Sequence, residues 1–278
     1  GTGPWYQDTY NIDTTGGAFT RAVRVGGNRW TSPYTGGWAA STDGGLTWSS
    51  SGSFTPGVMP LRVAIAANNP DTFVVLTSGA QPLYTQNGGG TWNPVSGLPD
   101  GPTGPWYWGQ PLAADRVDGN LAYYYSTGKL YRSEDGGASF NVVNTSLPVE
   151  DWSEAWSRLK AVDGIRGELW LSRNWQGLHH STDGGATFAK LANVEQAYLF
   201  ALGKPPQGST VPALYLYGTV SGMGQGIFLS LDRGETWTEI GNPVLPIGDE
   251  PNVMEASPRE FGLVFVGTNG RGIYYGEP

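Results

Sequence analysis

Ser41-Thr42-Asp43-Gly44-Gly45-Leu46-Thr47-Trp48 decides the fold, because the same octapeptide recurs four more times along the chain. The later copies are Thr85-Gln86-Asn87-Gly88-Gly89-Gly90-Thr91-Trp92, Ser133-Glu134-Asp135-Gly136-Gly137-Ala138-Ser139-Phe140, Ser181-Thr182-Asp183-Gly184-Gly185-Ala186-Thr187-Phe188 and Ser230-Leu231-Asp232-Arg233-Gly234-Glu235-Thr236-Trp237. Successive copies start 44 to 49 residues apart. A period of that length marks a repeat architecture. In each copy Asp or Asn can bond nearby backbone amides in a tight turn, the glycines can take positive φ, and the closing Trp or Phe can anchor the next strand. The motif is an Asp-box, taken here as a structural turn to which no chemistry is assigned.

Between boxes the pattern is strand, turn, strand, loop, strand, box, strand. One unit contains Leu61 to Ala66, Thr72 to Thr77, Pro82 to Thr85 and Trp92 to Val95. Later units repeat it, with second strands at Tyr123-Tyr124-Tyr125, Glu168 to Leu171 and Ala213 to Tyr217, and third strands at Lys129-Leu130-Tyr131, Gly177-Leu178-His179 and Gly226 to Leu229. Strict alternation breaks where both faces of a sheet are buried. The expected fold is all-β, a single β-propeller domain over residues 1–278. Its four-stranded blades carry Asp-box turns and number about six, or form an incomplete seven-bladed ring. After the fifth box, Pro251 to Ala256, Leu263 to Val266 and Gly272 to Tyr275 supply three strands of a sixth blade. The residues around Trp5 and Tyr6 can close the ring as its missing strand, which would remove open edges; alternatively the chain is an arc of a larger ring.

Composition agrees with many short strands and tight turns: 43 Gly, 20 Pro and 35 aromatic residues, against 14% charged residues. A net charge of −8 with no basic run argues against nucleic acid and anionic membrane as partners. The absence of cysteine excludes disulfides, thiolate catalysis and cysteine-ligated zinc. No apolar stretch is long enough to cross a membrane, and the amino terminus lacks signal-peptide regions. Beginning at Gly1 without methionine, the chain reads as a processed product or an excised part of something longer.

Because neighbouring strands run antiparallel, the second-to-third-strand loops and the blade-to-blade connections share the face opposite the boxes. That loop face concentrates aromatic residues: Trp30 and Tyr34, Trp106-Tyr107-Trp108, Trp152 and Trp156, Trp175, and Met223 in a Gly-rich loop. Flat rings in a weakly charged cleft suit the apolar faces of sugars, so these nine residues are the candidate substrate-binding set. The alternative is that the rings pack beneath their own loops. Asn28, Arg29, Arg158, Arg173, Asn174 and Gln176 are polar candidates for sugar hydroxyls. The box-side turns Ala67 to Asp71, Val117 to Asn120 and Gly203 to Gln207 read as ordinary solvated turns. His179 and His180 share one strand, where alternation points them to opposite sides, so no metal site is expected. No cofactor is expected either. Glycan hydrolysis needs two carboxylates, and on the loop face the candidates are Asp100, Glu150, Asp151 and Glu154.

The carboxy-terminal stretch Leu214-Tyr215-Leu216-Tyr217-Gly218-Thr219-Val220, then Gly226-Ile227-Phe228, then Val266-Gly267-Thr268-Asn269-Gly270-Arg271-Gly272-Ile273-Tyr274-Tyr275-Gly276, resembles the end of glycoside hydrolase family 74, the xyloglucanases and oligoxyloglucan-specific hydrolases. The likeness runs from about Pro4 to Pro278, whereas sialidases and sortilin-like receptors share only the boxes. The resemblance implies two propellers per complete enzyme, a substrate cleft between them, and inversion using one aspartate from each. The family's general acid sits in a Gly-Asp motif followed by Gly-Gly-Phe, and Asp13, with Gly16, Gly17 and Phe19 after it, is a superficial match. The register of Asp13 through Arg24-Val25-Gly26 fits the next blade, one step downstream of the acid, so Asp13 is only a weak catalytic candidate.

The function expected from all this is the carboxy-terminal propeller portion of a secreted, extracellular xyloglucan- or β-1,4-glucan-degrading hydrolase. It would supply aromatic sugar-binding loops to a plant cell-wall polysaccharide beside a companion amino-terminal propeller. The alternative is a non-catalytic glycan-binding or protein-interaction propeller.

Overall fold

The computed structural model describes residues 8–14, 22–28, 35–43, 45–55, 57–103, 109–149, 156–241, 247 and 251–276. Among them are 23 strands and no α-helix. The strands form six antiparallel sheets, each made of consecutive segments. Blade I holds β1 (Asp8–Thr14), β2 (Ala22–Asn28), β3 (Thr35–Ser41) and β4 (Ser49–Ser53); blade II holds β5 (Pro60–Ile65), β6 (Phe73–Thr77), β7 (Leu83–Thr85) and β8 (Asn93–Pro94). Blade III follows with β9 (Leu112–Ala114), β10 (Ala122–Ser126), β11 (Lys129–Ser133) and β12 (Asn141–Asn144), and blade IV with β13 (Arg158–Ala161), β14 (Leu169–Ser172), β15 (Leu178–Ser181) and β16 (Ala189–Lys190). Blade V contains β17 (Val194–Gly203), β18 (Ala213–Val220), β19 (Gly224–Ser230) and β20 (Thr238–Glu239). Blade VI has three strands, β21 (Pro251–Ala256), β22 (Val264–Thr268) and β23 (Ile273–Gly276), as the sequence pattern implied. Trp5 and Tyr6 lie outside the described residues. The chain from Asp8 to Thr14 is the first strand of blade I.

The blades stack through period-2 alternation, which sends successive side chains of a strand into opposite seams. Val63, Ile65, Phe73 and Val75 of blade II meet Val23, Val25, Trp38 and Ala40 of blade I. Their strand neighbours Ala64, Val74 and Leu76 meet Leu112, Ala122 and Tyr124 of blade III instead. Tyr123 and Tyr125 turn the other way, onto Leu159, Leu169 and Leu171 of blade IV. The same interleaving joins blade IV to V through Trp170, Phe200 and Phe228, and V to VI through Leu199, Tyr215, Met254 and Val266. With both faces covered, β5 and β6 are buried at every position, which is why their sequences read as unbroken apolar runs. Backbone hydrogen bonds cross between blades as well: Gln110 N–H to Ser157 O at 2.7 Å, Phe140 N–H to Ser96 O at 2.9 Å and Lys204 N–H to Ser257 O at 2.9 Å. Cations of the first strands reach two blades along, with Lys160 Nζ 2.6 Å from Glu255 Oε1 and Arg158 Nη2 donating to Asn252 O at 3.3 Å.

The five octapeptides adopt one turn, each joining the third strand of a blade to its fourth. In the third copy Ser133 Oγ donates to Asp135 Oδ1 at 2.8 Å while accepting from Gly137 N–H at 2.8 Å, and Asp135 accepts from the Ser139 amide at 2.9 Å and the Ser139 hydroxyl at 2.5 Å. Asp43, Asp183 and Asp232 repeat the set. Asn87 substitutes its carboxamide, accepting from Thr91 N–H at 2.9 Å and donating to the Thr91 hydroxyl at 3.0 Å. Hydrogen bonds from Thr47 and Ser41 hold the Asp43 carboxyl down at about 2. At Asp135, Asp183 and Asp232 burial opposes ionisation, but the same hydroxyl and amide donors outweigh it and leave these pKa values below the usual range.

From the second copy onward, the glycine at the fifth position of the turn has two reasons to be glycine. Its φ is 87° at Gly89, 92° at Gly137, 84° at Gly185 and 86° at Gly234. A Cβ there would stand 2.0 Å from Trp38, 2.1 Å from Val74, 1.8 Å from Leu130 and 2.2 Å from Leu191, each in the preceding blade or the connection that leaves it. The box therefore closes its own hairpin and seats that hairpin on the neighbour. Gly185→Ala combines left-handed strain with overpacking and should lower unfolding free energy by about 2–4 kcal/mol. Gly164→Ala also has positive φ but meets nothing within 4 Å, and should lose only about 1 kcal/mol. Urea unfolding of both variants makes the comparison, and equal losses would show that the contact with Leu130 relaxes freely.

Candidate functional site

Antiparallel pairing puts the boxes and the first-to-second-strand turns on one face and the remaining loops on the other. The first grouping is visible in hydrogen bonds from Gly88 N–H to Asp71 O, Gly136 N–H to Asn120 O and Gly184 N–H to Gly167 O, each linking a box to such a turn. The box face is polar. Asn68, Asn69, Thr72, Gln86, Asn120 and Asp135 line a crevice of about 340 Å³ between blades II and III, so these turns pack against one another across the seam besides meeting solvent.

On the loop face the described part of the aromatic set belongs to blades IV and V. Trp175 stands in the β14–β15 loop with half of its surface exposed, and Met223 in the β18–β19 loop is 43% exposed. Trp156, just before β13, is half-buried, and its carbonyl accepts from Arg158 Nη1 at 3.1 Å. Trp30, Tyr34, Trp106, Tyr107, Trp108 and Trp152 lie outside the described residues, as do Arg29, Glu150, Asp151 and Glu154. Asp13 is in β1, opposite Val23. Asp100 is exposed.

Beside Trp175 the fold assembles a group that the sequence pattern did not single out. Asn174 takes φ of 50°, and its carbonyl accepts from Ala197 N–H at 2.8 Å, which ties the Trp175 loop to β17. There the pairing of β17 with β18 is broken by register shifts between Val194 and Gln196 and between Ala197 and Leu199. Such bulges re-aim side chains. The ring of Tyr198 lies 5.5 Å from that of Tyr217, and Gln196 Oε1 accepts from the Tyr198 hydroxyl at 2.7 Å and the Thr219 hydroxyl at 2.8 Å. The Tyr217 hydroxyl accepts from Gln225 Nε2 at 2.8 Å, and the exposed Glu195 accepts from Ser221 Oγ at 2.9 Å. Two half-buried phenols, two carboxamides and an exposed indole thus share one end of two adjacent blades. The available signal was that Gln196 and Tyr198, like Tyr217 and Thr219, are spaced by two on strands; nothing local distinguishes them from seam residues.

Three polar residues expected to meet sugar hydroxyls are committed elsewhere. Arg173 is fully buried over the Tyr125 ring at 4.5 Å and donates to Pro148 O at 3.0 Å. Arg158 is 6% exposed and its guanidinium binds the carbonyls of Trp156, Tyr198 and Asn252. Asn174 is buried in the bridge to β17. Arg158 and Arg173 satisfy backbone carbonyls where adjoining blades converge, and Asn174 gives its own carbonyl to the Ala197 amide, demands invisible in single-strand patterns. Gln176 is half-buried, and Asn28 pairs through its backbone with Thr35.

His179 and His180 divide as alternation requires. His180 stacks on Trp170 with centroids 4.1 Å apart and donates from Nε2 to Glu168 Oε1 at 2.9 Å. Arg233 Nε binds the same oxygen at 3.0 Å. Burial resists ionisation of Glu168, but these two donors and their charges prevail, so its pKa is lowered. Arg233 stands where other boxes carry glycine, at φ of 61°, and so clamps the fifth box to blade IV. No cluster of three or more His, Cys, Asp or Glu suited to a metal occurs among the described residues.

These interlocked seams define the chain as a β-propeller. It is 33% identical over 238 residues, 86% of this chain and 27% of the relative, to xyloglucanase Xgh74A of Acetivibrio thermocellus. It is 31% identical over 278 residues to a xyloglucanase of Hypocrea jecorina, covering 99% of this chain and 30% of that protein. The crystal structure of the glycoside hydrolase family 74 xyloglucanase from Xanthomonas campestris superposes with a TM-score of 0.80 at 29% identity, over 97% of this chain and 37% of that one. No protein-family model matches the chain. The chain belongs to glycoside hydrolase family 74 and spans about a third or less of the length of these relatives.

His179 supplies a pH test of the blade interior. Burial, then the charges of Lys190 and Arg173, push its pKa from 6.5 down to about 4. The unfolded chain takes up that proton near pH 6.5 while the folded chain refuses it until about 4, so stability is full above 6.5 and falls between 6.5 and 4. The loss should be on the order of 3 kcal/mol. His179→Leu should flatten this window, read by melting temperature at pH 7, 5.5 and 4. The box aspartates, with lowered pKa values, contribute stability that is lost only below about 4. A slope unchanged in the variant would assign the acid sensitivity elsewhere.

Proposed function

We propose that this chain is the carboxy-terminal propeller portion of a secreted xyloglucan- or β-1,4-glucan-degrading glycoside hydrolase and that it supplies aromatic sugar-binding loops for a plant cell-wall polysaccharide. The observation that carries this is Trp175, half exposed and tied through Asn174 to the strand of Tyr198, in a chain similar to xyloglucanases. An indole face stacks on the apolar face of a pyranose, and neighbouring phenol and carboxamide groups bind hydroxyls. By their position in the sequence, Trp106, Tyr107, Trp108, Trp152 and Trp156 fall in blade connections and Trp30, Tyr34 and Met223 in second-to-third-strand loops, and we assign all of them to the same sugar-binding set. The octapeptide turns act as Asp-boxes, the BNR repeat, and hold the scaffold. A net charge of −8 suits a neutral glycan better than nucleic acid or a membrane surface.

Hydrolysis by inversion needs an acid and a base on either side of the bond. Asp13 is the weak candidate for the acid, because the sequence around it resembles the family's next blade, one step downstream. The catalytic pair is therefore assigned to polypeptide outside these residues, with a companion amino-terminal propeller forming the other wall of the cleft. The isolated chain should release no reducing sugar from xyloglucan, and turnover abolished by Asp13→Ala would overturn that assignment. In calorimetry with xyloglucan oligosaccharides, Trp175→Ala should cost roughly 1 kcal/mol, about fivefold in Kd, at unchanged melting temperature. The double variant Trp106→Ala, Trp152→Ala should lose more than about tenfold. Affinities equal to wild type would favour a propeller that binds protein.

A further inference from the structure

The crevice between blades II and III lies where the next two seams carry ion pairs. Hydrogen bonds from Gly88, Gly136 and Gly184 N–H to Asp71, Asn120 and Gly167 O set the first-to-second-strand turns of blades II, III and IV in one frame. In that frame Asn69 corresponds to Asp118, Gly119 to Arg166 and Thr72 to Glu168. The fourth residue of the box is Gly136 in blade III and Arg233 in blade V. Between blades III and IV, Arg166 Nε binds Asp118 Oδ2 at 3.0 Å; between blades IV and V, Arg233 Nε binds Glu168 Oε1 at 3.0 Å.

Between blades II and III all four positions differ. Asn69 and Gly119 stand in place of the first pair, Thr72 and Gly136 in place of the second, and all four line the crevice of about 340 Å³. A Cβ on Gly136 would stand 3.0 Å from Thr72 Cγ2, so these two residues face each other as Arg233 and Glu168 do. Glycine in place of two arginines gives this seam volume, and neutral groups in place of two carboxylates leave it little to offer a cation. Asp135 is the one carboxylate in the lining, and Ser133 and Ser139 occupy its oxygens. The remaining groups are amides and a hydroxyl: Asn68, Asn69 and Asn120 are exposed, and Gln86 is held across the seam by donating from Nε2 to Asp135 O at 3.1 Å. A carboxamide offers a donor beside an acceptor, which matches a sugar hydroxyl; a guanidinium only donates.

We propose that this crevice is a second carbohydrate site, on the face opposite the aromatic loops, and that it takes one neutral pyranose unit through hydrogen bonds between carboxamides and hydroxyls. Its volume falls at the lower end of the range for small-ligand sites. Its described lining contains no aromatic ring, so it grips hydroxyls and not a ring face, and it binds weakly. A weak second contact gains its value on a polymer, where engagement of both faces multiplies affinity. The class of ligand rests on the glycan reading proposed above, whereas the place does not.

The test is nuclear magnetic resonance of the isotope-labelled 278-residue chain, titrated separately with a xyloglucan oligosaccharide, glucose, glycerol and N-acetyl-arginine amide. The side-chain amide signals of Asn68, Asn69 and Gln86 should shift with the oligosaccharide and with glucose, severalfold more tightly than with glycerol and independently of salt. Asn69→Asp with Gly119→Arg copies the pair of the next seam into the crevice and requires only that the Asn68 side-chain oxygen, which such a Cβ would meet, swing aside. Asn68→Ala with Asn69→Ala removes the amides without filling the space. Read at Gln86, each double variant should lose at least about tenfold in affinity. Silence of the three amides overturns the inference, and a shifting Trp175 indole signal in the same titration would leave the proposed function standing. Amide shifts with a silent Trp175 would instead remove the loop-face reading and keep this site. Equal response to glycerol overturns the inference, as does affinity retained in a folded double variant. Response to the arginine derivative in place of the sugars overturns it in favour of a protein side chain.

Discussion

The seams of this propeller lean on a hairpin turn that, from its second copy to its fifth, is too tight to admit a methyl group. A serine or threonine hydroxyl and an aspartate or asparagine side chain satisfy the turn's own backbone, leaving a glycine edge flat enough to lie against the preceding blade. At Gly137 and Gly185 the neighbour is Val74 and Leu130, members of the buried clusters that fill the seams. Local hydrogen bonding and long-range packing are thus joined at one Cα. The carboxylate of the motif is fully occupied within the turn, where its oxygens accept amide and hydroxyl hydrogen bonds. It therefore stays ionised into acid.

The elements written locally were the legible ones. The boxes announce their turns through residue type, and the third strand of each blade can be counted back from them; β21, β22 and β23 fall within a residue or two of the segments their apolar runs marked out. The seams were legible in kind but not in detail, because a strand buried on both sides loses the alternation that tells one side from the other, as in β5 and β6. Arg158, Arg173 and Asn174 show what escaped entirely. The two arginines answer carbonyls, and Asn174 an amide, that lie where blades converge, and these become visible only when adjacent sheets are placed together. The same holds for Tyr198 and Gln196, whose grouping with Tyr217 depends on bulges in β17. A bulge is a choice of register between two strands, and one strand's sequence does not contain it.

The loop face and the box face divide labour by how firmly their residues are held. On the box side Glu168, His180 and Arg233 form a closed set across the seam between blades IV and V, with the arginine accepting a left-handed backbone to reach it. On the loop side the polar groups form shorter chains, Gln196 to two hydroxyls and Gln225 to Tyr217, and beside them an indole is left to solvent. For the sugar binding proposed above, this arrangement keeps the rings positioned and the hydrogen bonds free to be exchanged for those of a ligand.

The seating of the later boxes on the blade before them also gives the chain a direction from one end to the other. The glycine of blade III finds Val74 only if blade II is already formed, and that of blade IV finds Leu130 only after blade III. A ribosome delivers the chain in this order. A hairpin that docked as it emerged would meet a finished template, leaving the strands of a repetitive sequence fewer wrong copies to pair with.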